Sequence, residues 1–275
     1  MDIGTAKPSI EQLAITPHHL INICDPSESY SVAKFRSDAL SEIESILSKG
    51  KIPLLVGGTM LYFKVLQQGI SVLPEADPVV RSRIREEASL VGWEKLHQRL
   101  QKIDPLAAAK IAVNDTQRIQ RALEVYELTG EPMSELISRS PPQPLPYEII
   151  NIVVALSSRL QLLAKIEKRF QEMLQQGFLA EVEALLKRGD LSPDLPSMRA
   201  VGYRQAWRYI IGEIDYQTMQ QQVIIATRQL AKRQFTWLKQ WDKTIWFNSD
   251  DENFDYRVMK FIVEGCNSQP LDRNA

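Results

Sequence analysis

With 275 residues, the chain is long enough for one large domain or a core with an insertion. Its 33 Lys and Arg against 34 Asp and Glu leave a net charge of −1, so there is no global positive charge to attract nucleic acid and any such site must be a local basic patch. The two cysteines, Cys24 and Cys266, form no metal or disulfide pattern and fit a reducing cytoplasm. Three histidines are too few for the common zinc sites, and no apolar run reaches membrane-span length.

Residues 1–8 (MDIGTAKP) are small and polar and are expected to form a loop. Gly4-Thr5-Ala6-Lys7 lacks the glycine spacing and the Gly-Lys-Ser/Thr end of a phosphate loop. Residues 18–23 fit a short strand, on which His18 and His19 would point to opposite faces and could not chelate together. Ser31 is a good N-cap for a helix with Val32, Phe35, Leu40, Ile43 and Leu47 on its apolar face and Gly50 just past its end.

The run 52–56 is short, apolar and uninterrupted, the pattern of a strand buried on both faces of a parallel sheet. Gly57 and Gly58 would allow a tight turn and a close ligand approach before Thr59 and a helix over 60–66. Strand, glycine turn and helix is the place where open α/β sheets hold ligands. A ligand-free turn fits the same residues.

Residues 72–114 change character. Pro74, Asp77 and Pro78 mark a break, and charged helical patterns follow over 81–90, 93–103 and 106–113 with no strand signal, which describes a small helical insertion. Asp115 then caps a helix whose buried stripe is Ile119, Ala122, Leu123 and Tyr126, with Gln117 and Arg121 sharing the opposite edge. Arginines interleaved with glutamines suit recognition of phosphate and a base edge, and equally suit a solvated face.

A proline-rich linker over 138–147 leads to a second apolar strand at 149–156 and a long helix over 160–187, broken at Gly177. Lys165, Lys168 and Arg169 follow that strand, and Arg169 is a candidate diphosphate clamp or a plain surface charge. Residues 194–208 interleave Arg199, Arg204 and Arg208 with Tyr203 and Trp207, the combination used for single-stranded RNA. The helix over 216–241 places Arg228, Lys232 and Lys239 on one face, with Ile225, Leu230, Phe235 and Leu238 expected mainly in the core. A last strand is expected at 243–247, a last helix at 254–263, and frayed residues after it.

The motifs MDIGTAKP, PHHL, LLVGGTMLYFKVL, LPEADPVVR, NDTQRIQRALEVYELTG, LPSMRAVGYRQ and ATRQLAKRQFTWL occur in that order. Together they resemble the bacterial tRNA dimethylallyltransferases, also called tRNA isopentenyltransferases, from residue 1 to about 246. The resemblance implies a phosphate-loop-NTPase-like α/β fold with a parallel sheet core and a helical insertion, divided as 1–71, 72–114 and 115–275. It implies transfer of the dimethylallyl group of dimethylallyl diphosphate to N6 of the adenosine beside the anticodon, with Mg2+ accompanying the diphosphate and the base flipped out of its stack. The partners it implies are the tRNA anticodon stem-loop and dimethylallyl diphosphate, with the protein a cytoplasmic monomer and no membrane contact.

By motif match, the resemblance assigns tRNA contacts to Thr59, to Arg81, to the segment Gln117, Arg118, Ile119, Gln120 and Arg121, and to the basic segments holding Arg199, Tyr203 and Arg204 and then Lys232, Arg233 and Lys239. Arg169 matches the helix that approaches the diphosphate. Thr59 and the 117–121 helix are expected to serve one adenosine. The family's phosphate loop and its catalytic Asp precede the MDIGTAKP motif, so no catalytic residue is assigned within the chain and both are expected upstream of Met1, by a late start or a broken copy. Losing such electrostatics costs orders of magnitude in rate. A nucleotide kinase with a helical lid and a non-catalytic RNA-binding remnant are the competing functions.

Overall fold

The computed structural model describes residues 1–267, so the tail expected to fray lies largely outside the described residues. The chain forms two compact units, 1–62 with 147–275, and 63–146. In chain order the elements are α1 (Ile10–Ile15), α2 (Val32–Ser48), α3 (Met60–Gln68), α4 (Pro78–Val91), α5 (Trp93–Ile103), α6 (Pro105–Ala108), α7 (Thr116–Thr129), α8 (Met133–Arg139), β1 (Asn151–Ala155), α9 (Arg159–Gln175), α10 (Phe178–Lys187), α11 (Tyr203–Ile210), α12 (Tyr216–Leu238), β2 (Thr244–Asn248) and α13 (Phe254–Asn267).

In the first unit, β1 and β2 pair in parallel, with Asn151 opposite Thr244 and Val153 opposite Trp246. Phe235 of α12 stacks on Trp246 at 6.2 Å and Phe261 of α13 meets Phe247 at 5.8 Å, which fixes both helices to the second strand. The main core of this unit lies among α9, α10, α11 and α12. Phe170, Phe178, Val182, Met198, Tyr203, Ala206, Met219 and Val223 are buried together there. Gly177, at φ +94, breaks the long helical stretch into α9 and α10, as its sequence position implies.

The second unit is all helical among its described elements. Asp77 caps α4 through the N–H groups of Val79 and Val80, Asp104 caps α6, Asp115 caps α7, and Gly130 closes α7 in the left-handed conformation. Ile84, Leu96, Leu100, Ile119 and Leu123 form its core at 0–1 % exposure. His97 is buried there with its Nε2 2.9 Å from the Ile111 carbonyl oxygen, a packing role and not a ligand's. This unit is wider than the 72–114 read from the sequence, because α7 packs on α4 and α5, and α8 on α6 and α7.

Three expectations are corrected. Residues 52–56 form no strand: β1 and β2 pair only with each other, and Leu54 and Val56 are 73 % and 86 % exposed. A strand of that apolar type needs a neighbouring ladder and cover on both faces, and neither is present at 52–56. Residues 18–23 are also not a strand, because Leu20 and Asn22 adopt φ of +59 and +58, which interrupts extended backbone, and both His18 and His19 are exposed. On α12, only Met219 and Val223 are buried, whereas Ile225 and Leu230 are exposed, since the helix runs past the bundle that covers its first half.

Candidate functional site

The residues marked out by the sequence divide between the two units. In the first unit, Thr59 is exposed just ahead of α3, and its carbonyl accepts from the Tyr62 N–H at 2.9 Å. Neither Gly57 nor Gly58 takes a positive φ, so the turn does not use left-handed glycine geometry. What Gly58 supplies is room: a Cβ there would run into the side-chain amide of Gln234, which donates to the Gly58 carbonyl at 2.9 Å. Gln234 sits on α12 directly after Lys232 and Arg233. One hydrogen bond thereby places the Thr59 turn against the basic helix, a connection that no sequence spacing reveals.

Lys232 and Arg233 are exposed on α12, as are Arg228 and, at the helix C-cap, Lys239, and none has a carboxylate partner among the described residues. Arg199 and Arg204 are likewise exposed and without an ion pair among the described residues. They line a groove of roughly 450 Å³ with Pro193, Trp207 and Arg208, where Asp194 and Glu213 are the only acidic side chains among the lining residues. Arg208 is already engaged: its Nε donates to Glu213 at 2.9 Å and its Nη1 to Gln222 at 3.1 Å.

Tyr203 is corrected. It is 1 % exposed, meets Phe178 edge to face at 5.2 Å, and its hydroxyl donates a short hydrogen bond to Glu181. A ring held this way cannot stack on a base. The same Glu181 carboxylate accepts the N–H groups of Asp2 and Ile3 at 2.8 and 2.9 Å, and so anchors the loop at 1–8. Burial pushes this carboxyl up, and the bonds from Tyr203, Ile3 and Asp2 outweigh burial and hold it below the usual glutamate range. Burial and then the adjacent carboxylate push the Tyr203 phenol above the usual tyrosine range. Glu181 was missed because a single Glu on a helix gives no sign that it turns inward.

The cations after β1 do not act as a cluster. Lys165 pairs with Asp250 at 3.0 Å and Lys168 with Glu172 at 3.8 Å. Arg169 is exposed ten residues into α9, which is about 15 Å along the axis from the end nearest β1.

In the second unit the 117–121 segment separates by burial. Gln117 and Arg118 are exposed, with Arg118 3.4 Å from Asp115. Ile119 is corrected: at 0 % exposure it belongs to the core and presents nothing to RNA. Gln120 donates through Nε2 to the Arg81 carbonyl at 2.9 Å. Arg121 and Arg81 both bind Glu124, whose side chain is 0 % exposed. Glu124 was also overlooked, although a lone Glu inside the apolar run Ala122-Leu123-Glu124-Val125 with an arginine three residues before it was the available signal.

Exposed, unpaired cations set beside a glycine turn are suited to a polyanion. A family model described as IPP transferase matches residues 1–241. The chain belongs to the IPP transferase family. It is 55 % identical over 262 residues to a tRNA dimethylallyltransferase of Coxiella burnetii strain CbuG_Q212, covering 95 % of this chain and 87 % of that protein. Among solved structures, the full-length tRNA isopentenylpyrophosphate transferase of Bacillus halodurans is 35 % identical with a TM-score of 0.67, over 96 % of this chain and 83 % of that one. A eukaryotic dimethylallyltransferase described as acting on tRNA has a TM-score of 0.80 at 23 % identity, over 99 % and 71 % of the two chains, a likeness of fold. The resemblance carried by the seven motifs is borne out, and the IPP transferase fold stands with the phosphate-loop-like α/β class expected for it.

Proposed function

We propose that this IPP transferase moves a dimethylallyl group from dimethylallyl diphosphate to N6 of the adenosine beside the anticodon of a tRNA. The observation that carries the reading is the 55 % identity, along 95 % of the chain, to a tRNA dimethylallyltransferase. In the reaction a bond forms between N6 and the terminal allylic carbon while that carbon's bond to the diphosphate oxygen breaks. Diphosphate leaves with the electron pair, and N6 gives up one proton.

The chain's own residues are assigned to holding the RNA. Lys232, Arg233, Lys239, Arg199 and Arg204 carry charge that no described carboxylate neutralises, which supports phosphate contacts. The Thr59 hydroxyl, exposed beside α12, can donate and accept, and is assigned to a ribose-phosphate or base-edge oxygen. In the other unit, Gln117 and Arg118 are the exposed members of their segment and are assigned to the nucleotides, Gln117 with the amide that can pair bidentately with adenine. The protein is taken to work as a cytoplasmic monomer.

Mg2+ is assigned as a companion of the diphosphate. It keeps several waters and binds mainly through substrate phosphates. Among the described residues no group of three or more His, Cys, Asp or Glu side chains is placed to hold an ion.

The test is release of diphosphate from dimethylallyl diphosphate. Release that requires an anticodon stem-loop RNA supports the transferase reading. Phosphoryl transfer from ATP to a nucleotide, with no RNA-dependent release, would support the kinase reading in its place.

A further inference from the structure

Glu124 is the most completely buried charged side chain in the helical unit, at 0 % exposure, and it is fully engaged. Its Oε1 accepts from the Asp77 N–H at 2.8 Å and from Arg81 Nε at 2.9 Å. Its Oε2 accepts from Arg81 Nη2 at 3.2 Å and from Arg121 Nη1 at 2.9 Å. Both arginines are tied at a second point: Arg121 Nη2 donates to the Pro74 carbonyl at 2.6 Å, and the Arg81 carbonyl accepts from Gln120. One carboxylate therefore fixes two guanidinium planes, the first turn of α4 and the middle of α7.

A buried ion cluster is weak evidence for stability, since well-packed apolar side chains can replace one at little loss. Its geometry has a different use. Arg81 and Arg121 remain 41 % and 28 % exposed, and each guanidinium carries five N–H donors, more than the bonds to Glu124 use. Two arginine forks held at fixed orientation, Arg121 on the same helix as exposed Gln117 and Arg118, make a rigid donor array. Such an array rewards a correctly shaped planar or phosphate acceptor far more than two freely rotating cations would.

We infer that Glu124 is a positioning residue that orients Arg81 and Arg121 for reading the target nucleotide of the RNA. The inference rests on the proposed function and adds a residue to it. A counter-charge acts through net charge alone, so its loss strengthens binding to every RNA. A positioning group acts through geometry, so its loss removes discrimination while the attraction between charges stays.

The experiment is binding of two RNAs by the full chain across a salt series: an anticodon stem-loop with adenosine beside the anticodon, and the same stem-loop with uridine there. Thermal unfolding checks that each variant folds. Glu124→Gln is expected to weaken adenosine-RNA binding about tenfold and bring the adenosine-to-uridine ratio toward one. Its salt dependence should stay equal or steepen, because both arginines remain and a negative charge is gone. If both RNAs bind tighter with an unchanged ratio, or neither changes, the inference is overturned. Should Glu124→Gln fail to fold, Arg121→Lys decides. Lysine keeps the charge and loses the fork, so the ratio should fall at unchanged salt slope, and an unchanged ratio overturns the inference. A wild-type chain that binds neither RNA overturns the proposed function itself and this inference with it, an outcome visible before any variant is made.

Discussion

The side-chain amide of Gln234 donates to the main-chain carbonyl of Gly58 at 2.9 Å, across 176 residues of sequence. That bond sets the turn bearing Thr59 against the helix bearing Lys232 and Arg233, with Lys239 at its end. Gln234→Ala is expected to release the turn at a loss of about 1 kcal/mol, the net worth of an ordinary hydrogen bond. Amide hydrogen exchange over residues 57–62 should quicken while the α9–α11 core keeps its protection. Exchange that stays the same across the turn would show that the bond does not hold it.

The unpaired cations predict a measurable electrostatic term. Replacing Lys232, Arg233 and Lys239 with alanine should lower the slope of log affinity against log salt by roughly 0.9 for each duplex-stem phosphate that is no longer neutralised. Replacing Arg199 and Arg204 should act in the same direction. Titrations of stem-loop RNA over a salt series decide this, and an unchanged slope would return these side chains to ordinary surface charge.

Tyr203 separates packing from recognition. Tyr203→Phe keeps the ring against Phe178 and removes the hydroxyl that donates to Glu181. The expected loss is about 1.5–3 kcal/mol of stability, as for a hydrogen bond to a charged group, with RNA affinity unchanged. A folded variant of full stability that loses RNA affinity would restore the base-contact role expected from its motif.

Much of the architecture is legible in local chemistry, and the exceptions have physical causes. Caps at Ser31 and Asp115 and the break at Gly177 announce themselves, because each satisfies or bends its own neighbouring backbone. The run 52–56 carries a strand's pattern without a strand's partners, and pairing depends on residues far away in the chain. Site residues behave alike. Lys232 and Arg199 show their charge at any burial, whereas Tyr203 and Ile119 share motifs with exposed neighbours and differ from them only in which way the helix turns them. Glu181 and Gln234 act on partners 178 and 176 residues distant, beyond any spacing rule, whereas Glu124 joins such a distant partner, Arg81, to one three residues away, Arg121.

Asp104 gives a pH signature. It accepts from the Ala107 N–H at 2.9 Å and from both the N–H and the hydroxyl of Ser134, at 2.9 and 2.7 Å, which clips α8 to the start of α6. Burial pushes its carboxyl up, but the Ser134 and Ala107 bonds prevail and hold it below the usual aspartate value of 3.8. A carboxyl lowered on folding contributes stability above its unfolded value and loses it as pH falls through the folded one. The gap in thermal stability between wild type and Asp104→Asn should therefore narrow as pH falls from about 6 to about 3. A constant gap over that window would show that the carboxylate form is not what holds the clip.

The most direct measurement is the mass of the RNA itself. Anticodon stem-loops carrying adenosine or uridine beside the anticodon are incubated with excess protein, Mg2+ and dimethylallyl diphosphate, then fragmented and weighed. The expected result is one dimethylallyl group, replacing one hydrogen, on the adenosine beside the anticodon, and none on the uridine RNA. Adenosine RNA recovered unmodified from folded protein that binds it would contradict prenyl transfer by this chain.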